Sequence, residues 1–171
     1  MAAKVAGTWA VLSPIGMTGS LTTIDTTAAF RLGQRITARD MSSTTDYGDG
    51  EFVYLKGVTS CARGSVCTFT SGFVAVLIVA KAKGPVCVAL GAVDASTKYG
   101  WFQIKGKGVA LCDSGITDGA ALFIDTNTAQ IDDTAVTGDV IIGMHAASTD
   151  DTGTCVVHMA VNPVVADYDN A

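Results

Sequence analysis

The sequence predicts an all-β fold, in the form of a small β-barrel or β-tulip-like domain preceded by an extended N-terminal arm. Valine (19 residues) and threonine (21) far outnumber leucine (8), and Glu51 is the only glutamate. β-Branched residues suit a pleated sheet, whereas helices favour Leu, Glu and similar residues. Nineteen glycines supply turns. Short apolar or alternating segments separated by turn clusters roughly every ten residues are typical of a small barrel or sandwich.

A chain of 171 residues is long enough for one domain with a substantial core. The acidic, glycine-containing turn at residues 46–51 separates a segment of isolated apolar residues from one of dense strand patterns. We therefore predict an extended N-terminal arm over residues 1–45, a β-barrel or tulip domain over residues 46–162 and a loose C-terminal tail over residues 163–171.

The charge is distributed unevenly along the chain. All eleven Lys and Arg lie at or before Lys107 with six acidic residues, and the other ten acidic residues follow it. This asymmetry predicts a surface with two electrostatic faces and disfavours a nucleic-acid binder, which needs a concentrated basic patch. The longest apolar run, residues 73–80, is far shorter than the ~20 residues of a membrane span. Neither a membrane span nor an export signal is expected.

The N-terminal segment contains the candidate contact residues. Strict alternation over residues 33–39 places Arg35, Thr37 and Arg39 on one side of an extended chain. Two interpretations are open: an edge strand protected by charge, or an arm that lies on an acidic partner surface. The aromatic residues Trp9 and Phe30 are unusual in a disordered tail and indicate that the segment becomes ordered against something.

Beyond the acidic turn, residues 52–58 and 65–69 are predicted to form a hairpin. Residues 73–79 should form a strand buried on both faces at the centre of the domain, paired with residues 85–90. Residues 99–112 form a long strand in which Trp101 is expected to face outwards, where Trp and Tyr favour protein contacts. Shorter strands are predicted at residues 121–124, 130–132, 139–146 and 154–161.

No catalytic or metal-binding constellation is evident. Ser114 lies in an Asp-Ser-Gly sequence resembling that of chymotrypsin-like proteases, but His145 and His158 both follow it, and those enzymes have their histidine upstream. The aspartates at residues 125–133 lack the glycine and final glutamate of a calcium loop. Five cysteines without dense spacing predict buried, reduced thiols, although Cys61 and Cys67 could bridge the ends of a hairpin. We expect no enzyme activity, cofactor or metal.

Five segments in order resemble a family of tailed-bacteriophage capsid decoration (cement) proteins. They are RLGQRITARD, YGDGEFVYLKGV, AKAKGPVCVAL, YGWFQIKGKGVAL and GDVIIGMHAAS, and the resemblance covers about residues 28–161. The resemblance implies a small β-barrel or tulip-like domain that binds the outside of an icosahedral shell of major capsid protein. It also implies association of copies as homotrimers, or in some cases dimers, after synthesis in the bacterial cytoplasm.

The family has no established set of functional residues to carry over, so the roles of the candidate contact residues are our own hypothesis. Those expected to contact the capsid are Trp9, Phe30, Arg31, Arg35 and Arg39, because a basic arm suits an acidic capsid surface. Tyr99 and Trp101 are expected at the contact between decoration subunits. The alternative function is a head-fibre or tail-associated adhesion module, which would predict a fibrous repeat or a carbohydrate-like pocket; neither is visible in the sequence.

Overall fold

The computed structural model describes residues 7–12 and 20–166, and these residues form eleven β-strands. The strands are β1 (Trp9–Val11), β2 (Arg35–Asp40), β3 (Asp49–Lys56), β4 (Val66–Phe69), β5 (Ala75–Leu77), β6 (Gly84–Ala89), β7 (Tyr99–Leu111), β8 (Ala121–Ile124), β9 (Ile131–Asp132), β10 (Val140–Ala146) and β11 (Thr154–Ala166). The described residues contain no helix, so the predicted all-β class is confirmed. None of them therefore belongs to an apolar helix of bilayer-spanning length.

All strands join one large antiparallel sheet. Its main path runs β1-β2-β3-β7-β6-β11-β10-β8-β9, and β4 pairs with β5 and β6 away from that path. The two thirteen-residue strands, β7 and β11, hold the sheet together. The first part of β7 pairs with β3, and its second part pairs with β11.

The second half of the sheet closes into a ring. Cys112, directly after β7, forms a parallel bridge with Ile131 of β9, and the backbone N–H of Asp113 donates to the carbonyl of Ile131 at 2.9 Å. The ring β7-β11-β10-β8-β9 lies beside a core cluster that includes Ile124, Ile141 and Val157. Closure satisfies backbone groups that a free edge would leave open.

Alternation along β3 separates two further core clusters. Phe52 and Tyr54 are buried on one face, in a cluster with Trp101. Val53 and Leu55 are buried on the other face, in a cluster that includes Phe102. Because side chains alternate across a strand, a continuous apolar run here is a strand covered on both sides.

The predicted hairpin of residues 52–58 and 65–69 is wrong. β3 pairs with β2 and β7, whereas β4 pairs with β5 and β6. Ser60 (φ 67°) and Gly64 (φ 84°) adopt left-handed conformations in the connection between β3 and β4. Such turns redirect the chain, and here they lead it away from β3 so that β4 pairs with β5 and β6.

Residues 73–79 do not form a central strand. Only Ala75–Leu77 is a strand, and it pairs with β4 alone. Phe73, Val76 and Val79 are exposed. Phe73 has a positive φ of 58°, which interrupts the extended conformation at the start of the run. The apolar run lacks clear alternation, so it did not show whether the strand pairs with one neighbouring strand or with two.

The remaining strand predictions match the structure closely, with one extension. β2, β6, β7, β8, β9 and β10 lie where the sequence places them, within two residues at each end. β11 continues to Ala166, beyond the predicted boundary at residue 162. The division into arm, domain and tail stays a prediction, although β2 belongs to the common sheet.

Candidate functional site

The predicted capsid-contact residues cluster around the first two strands of the sheet. We call the outward side of these strands the β1–β2 face, formed by Ala10, Leu12, Arg35, Thr37 and Arg39. Ala10 is opposite Arg39 in register, and the N–H of Leu12 donates to the carbonyl of Thr37 at 2.8 Å. Residues opposite each other share a face, so all five side chains project to the same side.

The opposite side of β2 is buried, which fixes the direction of the arginines. Ile36 is 3% exposed and Ala38 is fully buried, whereas Arg35 and Arg39 are exposed. The predicted alternation is therefore confirmed for residues 35–39, whereas Gly33 and Gln34 precede the strand. A one-residue slip of β2 would bury the arginines, so the core holds the register.

The arginines differ in what they already bind. Arg39 forms a two-pronged ion pair with Asp49 of β3, through Nε at 2.6 Å and Nη2 at 3.0 Å. The hydrogen bond to Asp49 raises the pKa of Arg39, and the same bond lowers the pKa of Asp49. The side chains of Arg31 and Arg35 are exposed, and neither guanidinium has a hydrogen bond or ion pair within residues 7–12 and 20–166.

A second ion pair lies beside the first, on the neighbouring strands. Lys105 of β7 and Glu51 of β3 are opposite in register, and their Nζ and Oε1 atoms are 2.7 Å apart. Asp49 and Glu51 of the acidic turn thus bind basic residues of their own sheet. The arginines that keep free donors for a partner in the described structure are Arg31 and Arg35.

Trp9 and Phe30 pack on the core side instead of facing outwards. The ring of Trp9 meets Phe52 edge-on at 4.9 Å between centroids. Phe30 lies 5.3 Å from the rings of both Tyr54 and Trp101. Both residues are half-buried. They attach the N-terminal segment to its own domain, which leaves only part of each ring for a capsid contact.

The expectation that Trp101 faces outwards is wrong. Trp101 is 2% exposed and sits in an aromatic cluster, 5.1 Å from Tyr54. The residues that cover it come from the N-terminal segment, including Phe30 and Leu21, and no local pattern reveals that cover. Trp101 therefore offers almost no surface to another subunit. Tyr99 is half-buried and stacks on Tyr54 at 6.5 Å, and its subunit contact stays a prediction.

Asp40, which the sequence analysis did not single out, holds β1 and the 41–47 turn in place. Its carboxylate accepts hydrogen bonds from the backbone N–H groups of Thr8, Ser42 and Tyr47, at 2.8 to 3.0 Å, and from the hydroxyl of Thr45. Burial raises the pKa of Asp40, but these four hydrogen bonds outweigh it and lower the pKa overall. The polar turn that follows the strand could have indicated that Asp40 caps this turn. The sequence contains no signal for its long-range hydrogen bond with Thr8.

A second anchor attaches residues 25–29 to the sheet. The hydroxyl of Tyr54 donates to Oδ2 of Asp25 at 2.5 Å and accepts from the N–H of Ala29 at 3.2 Å. Burial, followed by the hydrogen bond to Asp25, raises the pKa of Tyr54 well above its usual value. The loop that covers Trp101 is therefore fixed by a buried phenol.

The histidines and Ser114 do not assemble into a protease site. Ser114 is exposed, and within the described chain it makes no hydrogen bond to either histidine. His145 and His158 instead face each other across β10 and β11. A serine nucleophile needs a base within hydrogen-bond reach, and the described residues do not provide one.

Three aspartates that are distant in sequence come together at the end of the ring. Carboxylate oxygens of Asp113, Asp125 and Asp132 all lie within 4.8 Å of one another. Hard cations such as Ca²⁺ prefer such oxygen ligands. The Asp125 carboxylate already accepts from Thr126 and Asn127, and Asp113 is exposed. Acidic turns of this kind are common without a metal, and this cluster by itself does not define a site.

All five cysteines are buried, and none of them forms a disulfide bond. The Sγ atoms of Cys61 and Cys67 are 3.9 Å apart, so the two residues are neighbours without a disulfide. The predicted burial of the thiols is therefore confirmed.

Comparisons with protein-family models, with curated proteins and with solved structures found no match for this chain.

Proposed function

We propose that this protein is a capsid decoration (cement) protein, a structural virion component that binds the outer surface of a tailed-bacteriophage head. In this function it bridges subunits of the major capsid protein and stabilises the lattice. It acts as a homo-oligomer, with a trimer favoured over a dimer, and it requires neither cofactor, nucleic acid nor membrane.

The observation that carries the proposal is the state of Arg31 and Arg35. Both are exposed beside a buried strand face, and both keep all their side-chain donors free within the described residues. Guanidinium groups bind carboxylates through two parallel hydrogen bonds. Because the backbone of Arg35 is fixed in β2, little backbone order has to be gained on binding. An acidic protein surface is the partner that this arrangement fits.

Leu12 adds an apolar element to the β1–β2 face. Its side chain is 51% exposed, next to Thr37 in the strand pairing. An exposed apolar residue bordered by arginines is typical of a protein contact with a polar rim. The five sequence segments that resemble decoration proteins include all of β2, which contributes Arg35, Thr37 and Arg39 to this face.

A cement function also fits the lack of an assembled reactive site in the described residues. A typical stable contact buries about 800 Å² per partner, and many weak contacts on one lattice add through multivalency. The charge asymmetry of the chain, basic before residue 107 and acidic after it, provides opposite charges for neighbouring copies. Surface electrostatic contacts of this kind weaken with salt.

The test compares arginines that differ in their partners. We expect the double variant Arg31→Ala, Arg35→Ala to bind undecorated expanded heads about tenfold or more weakly, because it loses two charge-assisted contacts. Arg39→Ala is the matched control, because that guanidinium is already bound to Asp49, and it should weaken binding much less. Co-sedimentation with heads at two salt concentrations measures both.

Unchanged affinity of the double variant, with normal folding, would remove the β1–β2 face from the proposal. Copy number on the virion separates the functions: hundreds of copies support decoration, whereas a handful would support the tail-associated or fibre function instead.

A further inference from the structure

A pair of histidines lies on the outer side of the strand ring, far in sequence from the β1–β2 face. His145 of β10 and His158 of β11 are directly opposite in the antiparallel register. Their ring centroids are 5.0 Å apart, at an interplanar angle of 74°. Neither ring has a hydrogen bond or ion pair within the described residues.

The packing of both strands directs the two rings to the same side. His145 lies between the buried residues Met144 and Ala146, and His158 lies between the buried residues Val157 and Met159. Those four neighbours belong to the core cluster of the ring, so both imidazoles point away from it. His145 is exposed and His158 is half-buried. Solvent and solutes therefore reach the pair.

We propose that His145 and His158 form a two-histidine chelating site for a divalent transition metal ion of the Cu²⁺, Ni²⁺ and Zn²⁺ class. Imidazole nitrogen is a preferred ligand for these ions. Metal–nitrogen bonds are about 2.0–2.1 Å, so two nitrogens on one ion lie roughly 3–4 Å apart. Turning two rings whose centres are 5.0 Å apart brings one nitrogen of each to that separation. Solvent molecules complete the coordination.

The residues around the pair influence its affinity for a cation. Burial, then the charges of His145 and Lys107, lower the pKa of His158, which favours the neutral imidazole, the form that binds a metal. The register places four residues in one row across the sheet: Ala121 of β8, His145, His158 and Lys107 of β7. Lys107 repels a bound cation, and Ala121 adds no ligand. The site is thus a bidentate chelate with moderate affinity.

The choice of metal follows from the ligands. Two imidazole nitrogens and solvent suit Cu²⁺ best, with Ni²⁺ and Zn²⁺ weaker, according to the general order of stability for divalent ions. Hard ions such as Ca²⁺ prefer oxygen ligands and are expected to ignore the histidine pair. The carboxylates of Asp113, Asp125 and Asp132 provide the competing oxygen-rich location.

The experiment is a calorimetric titration of the untagged protein, residues 1–171, with CuCl₂, NiCl₂ and ZnCl₂ near pH 7.5. We expect one ion per chain, with affinity lowered about tenfold or more by either His145→Ala or His158→Ala, since a chelate loses its effective concentration when one ligand is removed. Lys107→Gln should raise the affinity. Asp132→Asn is the matched control and should leave it unchanged.

A second measurement keeps the proposal testable if an alanine variant folds poorly. His145→Gln and His158→Gln retain polar side chains of similar length, and the Cu²⁺ electron paramagnetic resonance spectrum reports nitrogen ligands directly. Nitrogen hyperfine structure that disappears in both variants supports the site. Binding that survives both histidine substitutions, or that is lost in Asp132→Asn instead, overturns it. Neither result depends on the capsid-binding proposal.

Discussion

The side-chain amide of Gln103 occupies the space that a side chain on Gly108 would need. A β-carbon at Gly108 would overlap the Oε1 atom of Gln103. The Nε2 atom of Gln103 donates to the carbonyls of Lys105 and Lys107, at 3.0 and 2.8 Å. Gly106, between these two carbonyls, has a φ of 91°. Gln103 is fully buried, and within the described residues its Oε1 has no hydrogen-bond partner. The amide thus stabilises the irregular bend at the middle of β7.

Gly108→Ala should therefore destabilise the protein by about 2–3 kcal/mol. The added methyl group displaces the Gln103 amide, so the carbonyls of Lys105 and Lys107 lose the hydrogen bonds that this amide donates. Chemical denaturation with a constant m value measures the change. Gly72→Ala is the matched control, because its β-carbon would meet only Thr70 Oγ1 at 3.7 Å. Equal stability of the two variants would show that the amide does not hold the bend.

Tyr54 should make stability depend on pH in the alkaline range. The phenol of an unfolded chain ionises near pH 10, whereas burial and the bond to Asp25 raise the pKa of Tyr54 in the folded protein. This stabilisation is complete below about pH 10 and is lost as the pH rises towards the folded-state pKa. Tyr54→Phe should lose this contribution and show a flatter profile above pH 10. A profile identical to that of the wild type would contradict the prediction.

The same substitution should loosen the loop at residues 25–29 at neutral pH. Removing the hydroxyl leaves the Asp25 carboxylate and the Ala29 N–H without this partner, at a cost of about 1–2 kcal/mol. Hydrogen exchange of residues 25–29 measures the effect locally. A double-mutant cycle with Asp25→Asn isolates the coupling between the two side chains, and zero coupling would assign the effect to packing alone.

Asp40→Asn should weaken the attachment of β1. The substitution replaces a carboxylate that accepts four hydrogen bonds, and a loss of about 1–3 kcal/mol is expected. Asp46→Asn is the matched control, since Asp46 is exposed and Asn tolerates its positive φ of 45°. Faster hydrogen exchange across residues 9–11 in Asp40→Asn alone would support the prediction; similar exchange in both variants would not.

The pKa of Asp40 also predicts an acid response. Its folded-state pKa is lowered, so its stabilisation is present above the unfolded value near pH 3.9 and is lost as the pH falls through the folded value. Stability of the wild type should therefore fall below about pH 4 more steeply than that of Asp40→Asn. Parallel curves for the two proteins would contradict this.

The five cysteines should resist thiol reagents in the native protein. All are buried, so an aromatic disulfide reagent should modify five thiols in denaturant and close to none before unfolding. Cys61 should react first on local opening, because the hydrogen bond from Cys67 lowers its pKa, while the same contact and burial raise the pKa of Cys67. Mass spectrometry of partly alkylated protein identifies the order, and Cys61→Ser removes the early product. Modification of Cys87 before Cys61 would contradict the predicted order of reaction.

The sequence by itself determined the strand content and most strand positions. Alternation fixed which side of β2 is buried, because a strand with one covered face has a period of two. It also revealed the exposed arginines, although it did not show that Arg39 is paired with Asp49, ten residues away across a turn.

Only the tertiary structure decided how the strands are connected and which side chains are covered. Trp101 is buried because Phe30 and Leu21, about 70 to 80 residues earlier, fold over it. The pairing of β4 with β6, the closure at Cys112 and Ile131, and the meeting of His145 with His158 depend on register between distant segments. Local composition determines whether a segment is extended, but partner choice follows from packing of the whole chain, because backbone hydrogen bonds are the same for any pair of strands.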